Sequence, residues 1–90
     1  MNVQETNDER AAALALAALS WTLAEPARAE RLLALTGLTP HDLRSRLQDK
    51  DVLAAVLGFL EAHEPDLTAC AAALDTAPIA LVQARAQLER

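Results

Sequence analysis

Residues 51–62 read DVLAAVLGFLEA, and the reading of this stretch decides the fold. At roughly 100° per residue on a helix, Val52, Leu53, Val56, Leu57, Phe59 and Leu60 cover a broad apolar arc. The stretch is therefore predicted to be a central buried helix. Its other side carries Asp51, Ala55, Gly58 and Ala62, a row spaced three or four residues apart and nearly free of bulk. A second helix is expected to lie close along that row. Glycine inside a helix costs about 0.5 to 1 kcal/mol relative to alanine, which gives Gly58 a packing reason to be there.

Outward from this centre, four prolines each stand just ahead of a helical pattern: Pro26, Pro40, Pro65 and Pro78. Proline suits the first helical position because its missing N–H would have no partner there. Helices are predicted over 26–36, 40–48, 65–74 and 78–89. The first of these is expected to bury Ala29, Leu32, Leu33 and Leu35 and to stop at Gly37, a residue free to take the left-handed conformation of a helix end. Thr39 is placed to cap the next helix. Leu38 reaches Leu33 behind it and Leu43 ahead as a hydrophobic staple.

Asp49 or Asp51 caps the central helix. In 65–74, Leu67, Cys70, Ala71 and Leu74 turn inward. The last helix shows two stripes, Ile79, Val82 and Ala86 on one side and Leu81, Ala84 and Leu88 on another. At the other end of the chain, Thr6 and Glu9 have the spacing of a capping box, which predicts a helix over 7–24. Residues 1–5 have no pattern and read as disordered. The 7–24 helix also has two stripes: Leu16, Leu19 and Leu23 on one side, Leu14 and Trp21 roughly opposite.

Ninety residues make one domain with a modest core, because so short a chain buries only about 60% of the surface its unfolded form exposes. The apolar 52% consists mostly of 21 Ala and 17 Leu, with one Trp, one Phe and no Tyr, which favours helix over sheet. A net charge of -5 disfavours non-specific attraction to nucleic acid or to an anionic lipid surface. From Asp51 to Asp75 there are five acids and no Lys or Arg. A single cysteine has no internal disulfide partner, and the MNVQETNDER start is acidic where a signal peptide needs a basic region. The longest nearly apolar run, Ala11 to Ala24, falls short of the roughly 20 residues of a membrane span. These features point to the cytoplasm and away from a membrane.

The run LLALTGLTPHDLRSRL (Leu32–Leu47), then DVLAAVLGFLEAHEPDL (Asp51–Leu67), then the API-x-L-V-x-A-R ending (Ala77–Arg85), resembles a family of short alphaproteobacterial proteins catalogued as a domain of unknown function. The resemblance covers nearly the whole chain. It implies a compact all-α fold and carries no functional residues with it.

Three groups of residues invite a chemical reading. Arg31–Arg46 has the outline of a helix-turn-helix, with His41, Arg44 and Arg46 as candidate DNA contacts. Leu33 stands where that motif wants a small residue, and Asp42, Asp49 and Asp51 would repel phosphate, so an ordinary helical corner is the preferred reading. His63, Glu64, Asp66 and Asp75 carry metal-ligand side chains near one helix junction, but no His/Cys pair has zinc spacing. Glu64 and Asp66 are accounted for as complements to a helix N-terminus. Cys70 lies on an apolar face in acidic surroundings, where a thiol is a core residue rather than a nucleophile.

The sequence thus reads as an all-α, compact orthogonal bundle of five or six short helices around a central buried helix. It specifies no catalytic residue, no cofactor and no metal. The expected function is a non-enzymatic protein–protein interaction module or homodimer, with Leu14 and Trp21 as the possible interface. A helix-turn-helix DNA-binding regulator is the alternative.

Overall fold

Helices begin where the caps and prolines stand. The computed structural model describes residues 3–90, which form α1 (Val3–Leu23), α2 (Pro26–Thr36), α3 (Pro40–Ser45), α4 (Lys50–Glu61), α5 (Glu64–Ala73) and α6 (Pro78–Leu88). Proline occupies the first or second position of α2, α3, α5 and α6. Thr39 and Asp42 form a capping box: the Asp42 N–H donates to Thr39 Oγ1 at 3.1 Å, and the Thr39 N–H donates to Asp42 Oδ2 at 2.9 Å. The Asp49 carboxylate caps α4 by accepting the Asp51 N–H at 2.9 Å. Gly37 ends α2 at φ 76°, and its N–H donates to the Leu33 carbonyl.

Three boundaries differ from the sequence reading. The backbone of α1 is already helical at Val3, so Thr6 lies inside the helix and does not cap it; Glu5 supplies the acidic first turn. Met1 and Asn2 lie outside the described residues. α3 stops at Ser45 instead of running to Gln48, because Arg46 leaves helical geometry at φ -123° and its guanidinium bridges Asp42 and Asp49 across the turn into α4. α5 ends in Asp75 at φ 55°, a left-handed residue that lets the Thr76 N–H reach the Ala71 carbonyl at 2.9 Å.

The core forms around α4, whose Val52, Leu53, Ala54, Val56, Leu57, Phe59 and Leu60 are all buried. α1, α2, α5 and α6 all pack against it, α1 and α6 also pack against each other, and α5 meets α6 at 100°. The layers are thin: the molecule measures 40 × 28 × 18 Å.

On α1 neither leucine stripe is the buried side. The buried line is Ala11, Ala15, Ala18 and Thr22, at helical spacings of three and four, with Leu19 beside it. The Thr22 hydroxyl satisfies itself by donating to the Ala18 carbonyl at 2.8 Å. On α6 the stripe Leu81, Ala84 and Leu88 is buried, while Ile79 stays 58% exposed. On α2 only Leu32 is fully buried; Leu35, expected in the core, is 75% exposed.

The small row on α4 is also not what the sequence suggested. A Cβ placed on Gly58 would meet only the Arg85 Cδ, at 3.7 Å, an ordinary contact with a flexible stem. Asp51 and Ala62 are exposed, and the row lines an open groove beside Leu35. No helix backbone needs the missing methyl. Gly58→Ala is therefore expected to stabilise the fold by about 0.5 to 1 kcal/mol, from lost backbone freedom in the unfolded chain. A urea melt should show a higher midpoint at unchanged slope; a lower midpoint would mean that Gly58 is required for packing.

Candidate functional site

Because the alanines of α1 face the core, its leucines are left along the rims. Leu14 and Trp21 on one rim are half-buried against the core. On the other rim Leu16 is 40% and Leu23 42% exposed. Leu47, from the turn after α3, stands against this second rim and helps line two open apolar grooves. One, about 460 Å³, runs along Leu16, Leu19, Leu23 and Ala24. The other, about 290 Å³, runs over Ala12, Leu16, Leu53 and Leu88 and is also lined by Asp8, Glu9, Gln48 and Lys50. Leu16 and Leu47 belong to both.

Trp21, expected at an interface, sits at the corner between α1 and α2. The Arg28 guanidinium lies over the indole, with its central carbon 3.7 Å from the ring centroid. Arg28 Nη2 donates to the Trp21 carbonyl and Nη1 pairs with Glu25 at 2.7 Å. Its Nε is buried without an acceptor. α2 thus covers one face of the ring that the sequence left open for a partner.

Of the residues read as possible metal ligands, His63 and Asp66 meet, and Arg31 joins them. Asp66 is buried at the start of α5; its Oδ2 lies 3.0 Å from Arg31 Nη2 of α2 and 3.0 Å from His63 Nδ1. Among the described residues no three His, Cys, Asp or Glu side chains are grouped as a metal ion would require. Asp75 serves the end of α5 instead. Cys70 is fully buried. Burial pushes its thiol up from 9.0 to about 11; the Arg28 charge works against that rise and the Asp66 charge adds to it.

Of the candidate DNA contacts, His41, Arg44 and Arg46 are all exposed on or just after the six-residue α3. Arg46 is held by Asp42 at 3.1 Å and Asp49 at 2.8 Å. Those hydrogen bonds keep both carboxyls below their ordinary range: for Asp49 the bond from Arg46 leads, and for Asp42 the Thr39 N–H leads.

Arg28 and Arg31 were not singled out by sequence reasoning, although one signal pointed to them. An acid-rich segment without a base of its own must find its cations elsewhere, and α2 offers Arg28 and Arg31 one turn apart.

The model of a family described as "Protein of unknown function (DUF3572)" matches residues 8–90. The chain belongs to that family. The resemblance read from the sequence is thereby placed, as far as a domain of unknown function. Comparison with curated proteins and with solved structures returns no match. For this DUF3572 chain the geometry is accordingly the basis for any functional reading.

Two outcomes test that geometry. Arg28→Ala should uncover the indole and shift Trp21 emission to the red, with a loss of about 1 to 2 kcal/mol in stability from the cation–π contact and the packed stem. Unchanged emission would show that Arg28 does not shield the ring. Cys70 keeps its proton to about 11 when folded and releases it near 9.0 when unfolded. Its contribution to stability is whole below pH 9 and declines as pH rises towards 11. Urea midpoints measured at pH 8 and pH 10.5 should fall less for Cys70→Ala than for the native chain; equal falls would remove the thiol as the cause.

Proposed function

We propose that this chain is a non-enzymatic protein-binding module of the bacterial, indeed alphaproteobacterial, cytoplasm, and that it pairs with a second copy of itself through the Leu16–Leu23 side of α1. The observation that carries this reading is the pair of exposed leucines on that rim, 40% and 42% accessible, beside two open apolar grooves. Exposed apolar surface of this kind marks a partner site.

Net charge opposes self-association, and α1 offers a second copy a stretch where that opposition is least. Two molecules of net charge -5 repel each other, so they meet most readily where the surface is uncharged. From Ala11 to Ala24 no side chain carries a charge. A two-fold pairing of α1 on α1 would set this stretch against itself. The opposite rim of Leu14 and Trp21, half-buried and stacked by Arg28, lies outside such a contact.

The non-enzymatic part of the proposal is supported by the buried, protonated Cys70 and by grooves that are open rather than enclosed. Nothing in the arrangement of His41, Arg44 and Arg46 favours DNA, since Asp42 and Asp49 already hold Arg46.

Sedimentation equilibrium over a wide concentration range tests the proposal. The native chain should go from monomer to dimer, and the double variant Leu16→Glu, Leu23→Glu should stay monomeric with unchanged helical circular dichroism. A native chain that is monomeric throughout would overturn it. So would a duplex-DNA complex weakened by Arg44→Ala and steeply salt-dependent, which would replace this reading with the regulator.

A further inference from the structure

The segment between α2 and α4 is attached unlike the rest of the chain. Elsewhere ionic ties cross between helices: Arg31 to Asp66 joins α2 to α5, Lys50 to Asp8 joins α4 to α1, and Arg85 to Glu61 joins α6 to α4. Among the described residues, every hydrogen bond and ion pair of residues 38–48 closes within residues 36–51. The Leu38 N–H donates to Thr36 Oγ1, Thr39 and Asp42 cap each other, the Ser45 hydroxyl donates to the His41 carbonyl, and Arg46 bridges Asp42 and Asp49. α3 has no buried residue. Only the half-buried side chains of Leu38, Leu43 and Leu47 hold the segment to the core.

Gly37 is left-handed at φ 76°, with nothing within 4 Å of where its Cβ would be, and glycine is the residue with the widest choice of backbone conformations. Leu47 lines both grooves over α1, so moving it away would join them.

We propose that residues 38–48 form a strap that detaches cooperatively between its attachments at Gly37 and Asp49, α3 unravelling as it does, withdrawing Leu47 and merging the two grooves over α1 into one. Opening leaves no polar group buried without a partner, because each one keeps its local bond or passes to water. What is lost is the partial burial of three leucines, which is less than global unfolding loses. The inference stands whether or not a second copy binds.

Residue-resolved amide exchange of the full native chain in increasing urea is the test. Once detached, a six-residue helix does not hold itself, so its amides exchange on opening. The Leu43, Arg46 and Asp49 amides, which donate to Thr39, Asp42 and Arg46, should share one protection factor and one urea dependence. That shared protection should lie at least about a hundredfold below that of α4 amides such as Leu57. Leu43→Ala should lower the three together by about fivefold or more and leave α4 unchanged. Protection equal to that of α4 would overturn the proposal, since the strap would then open only with the whole fold. Graded values without urea dependence would also overturn it, by showing local fraying instead.

Discussion

The structure depends on the close packing of α1, α4 and α6 on one another, and buried alanines permit it. Ala11, Ala15 and Ala18 of α1, Ala71 of α5 and Ala84 of α6 are all buried, so these helices bring methyl groups into the core beside a few larger side chains, Leu19 of α1 and Leu81 and Leu88 of α6. The largest share of the bulk comes from one helix, through Leu53, Val56, Leu57, Phe59 and Leu60 of α4. A chain of ninety residues has few side chains to spare for its core, and this division lets one well-filled helix serve all its neighbours. A leucine in place of Ala15 or Ala18 would force the helices apart, at a cost of about 1 to 3 kcal/mol for overpacking.

Close approach fixes distance but not the angles at which the helices leave each corner, and there the charges act. The five acids between Asp51 and Asp75 have no base in their own segment. Glu61 takes Arg85 from α6, and Asp66 takes Arg31 from α2. Asp8 on α1 accepts from Gln87 of α6 at 2.7 Å as well as from Lys50, and these two bonds hold its carboxyl below the ordinary range. Most of these pairs are part-exposed, so each contributes little to stability alone. Their effect is directional: each ties two elements that are distant in sequence, and the asymmetry of acid and base along the chain selects which elements are tied.

Much of this was legible in the sequence where a local rule decides the outcome. A proline at a helix start, a Thr39–Asp42 cap and a glycine at Gly37 each act within four residues, and each is where its chemistry requires. The all-α class and the central position of α4 followed from composition and from one unbroken apolar arc. The orientation of α1 was not legible, because apolar residues surround it and periodicity then names several possible faces without ranking them. Gly58 misled for a related reason: a small residue shows that close packing is possible, whereas only the neighbour's position shows that it is used. Asp75 adopts a left-handed turn without being glycine or asparagine, which leaves no trace in the sequence pattern. The family to which the chain belongs adds fold-level company and no site residues.

The exposed leucines follow from the same alanine contact. A helix presents about a third of its circumference to a core, and on α1 that arc is taken by Ala11, Ala15, Ala18 and Leu19. Leu16 and Leu23 are then pushed outside it; α4 and α6 meet the groove beside Leu16, and the segment after α3 comes up against both leucines. That segment reaches them with a single side chain, Leu47, which leaves both leucines about two-fifths exposed. A polar residue at either position would have left the core intact, since neither supports it. Most of each leucine is covered within the monomer, and the apolar surface left over is the physical reason for proposing this rim of α1, ahead of the half-covered Trp21, as a binding face.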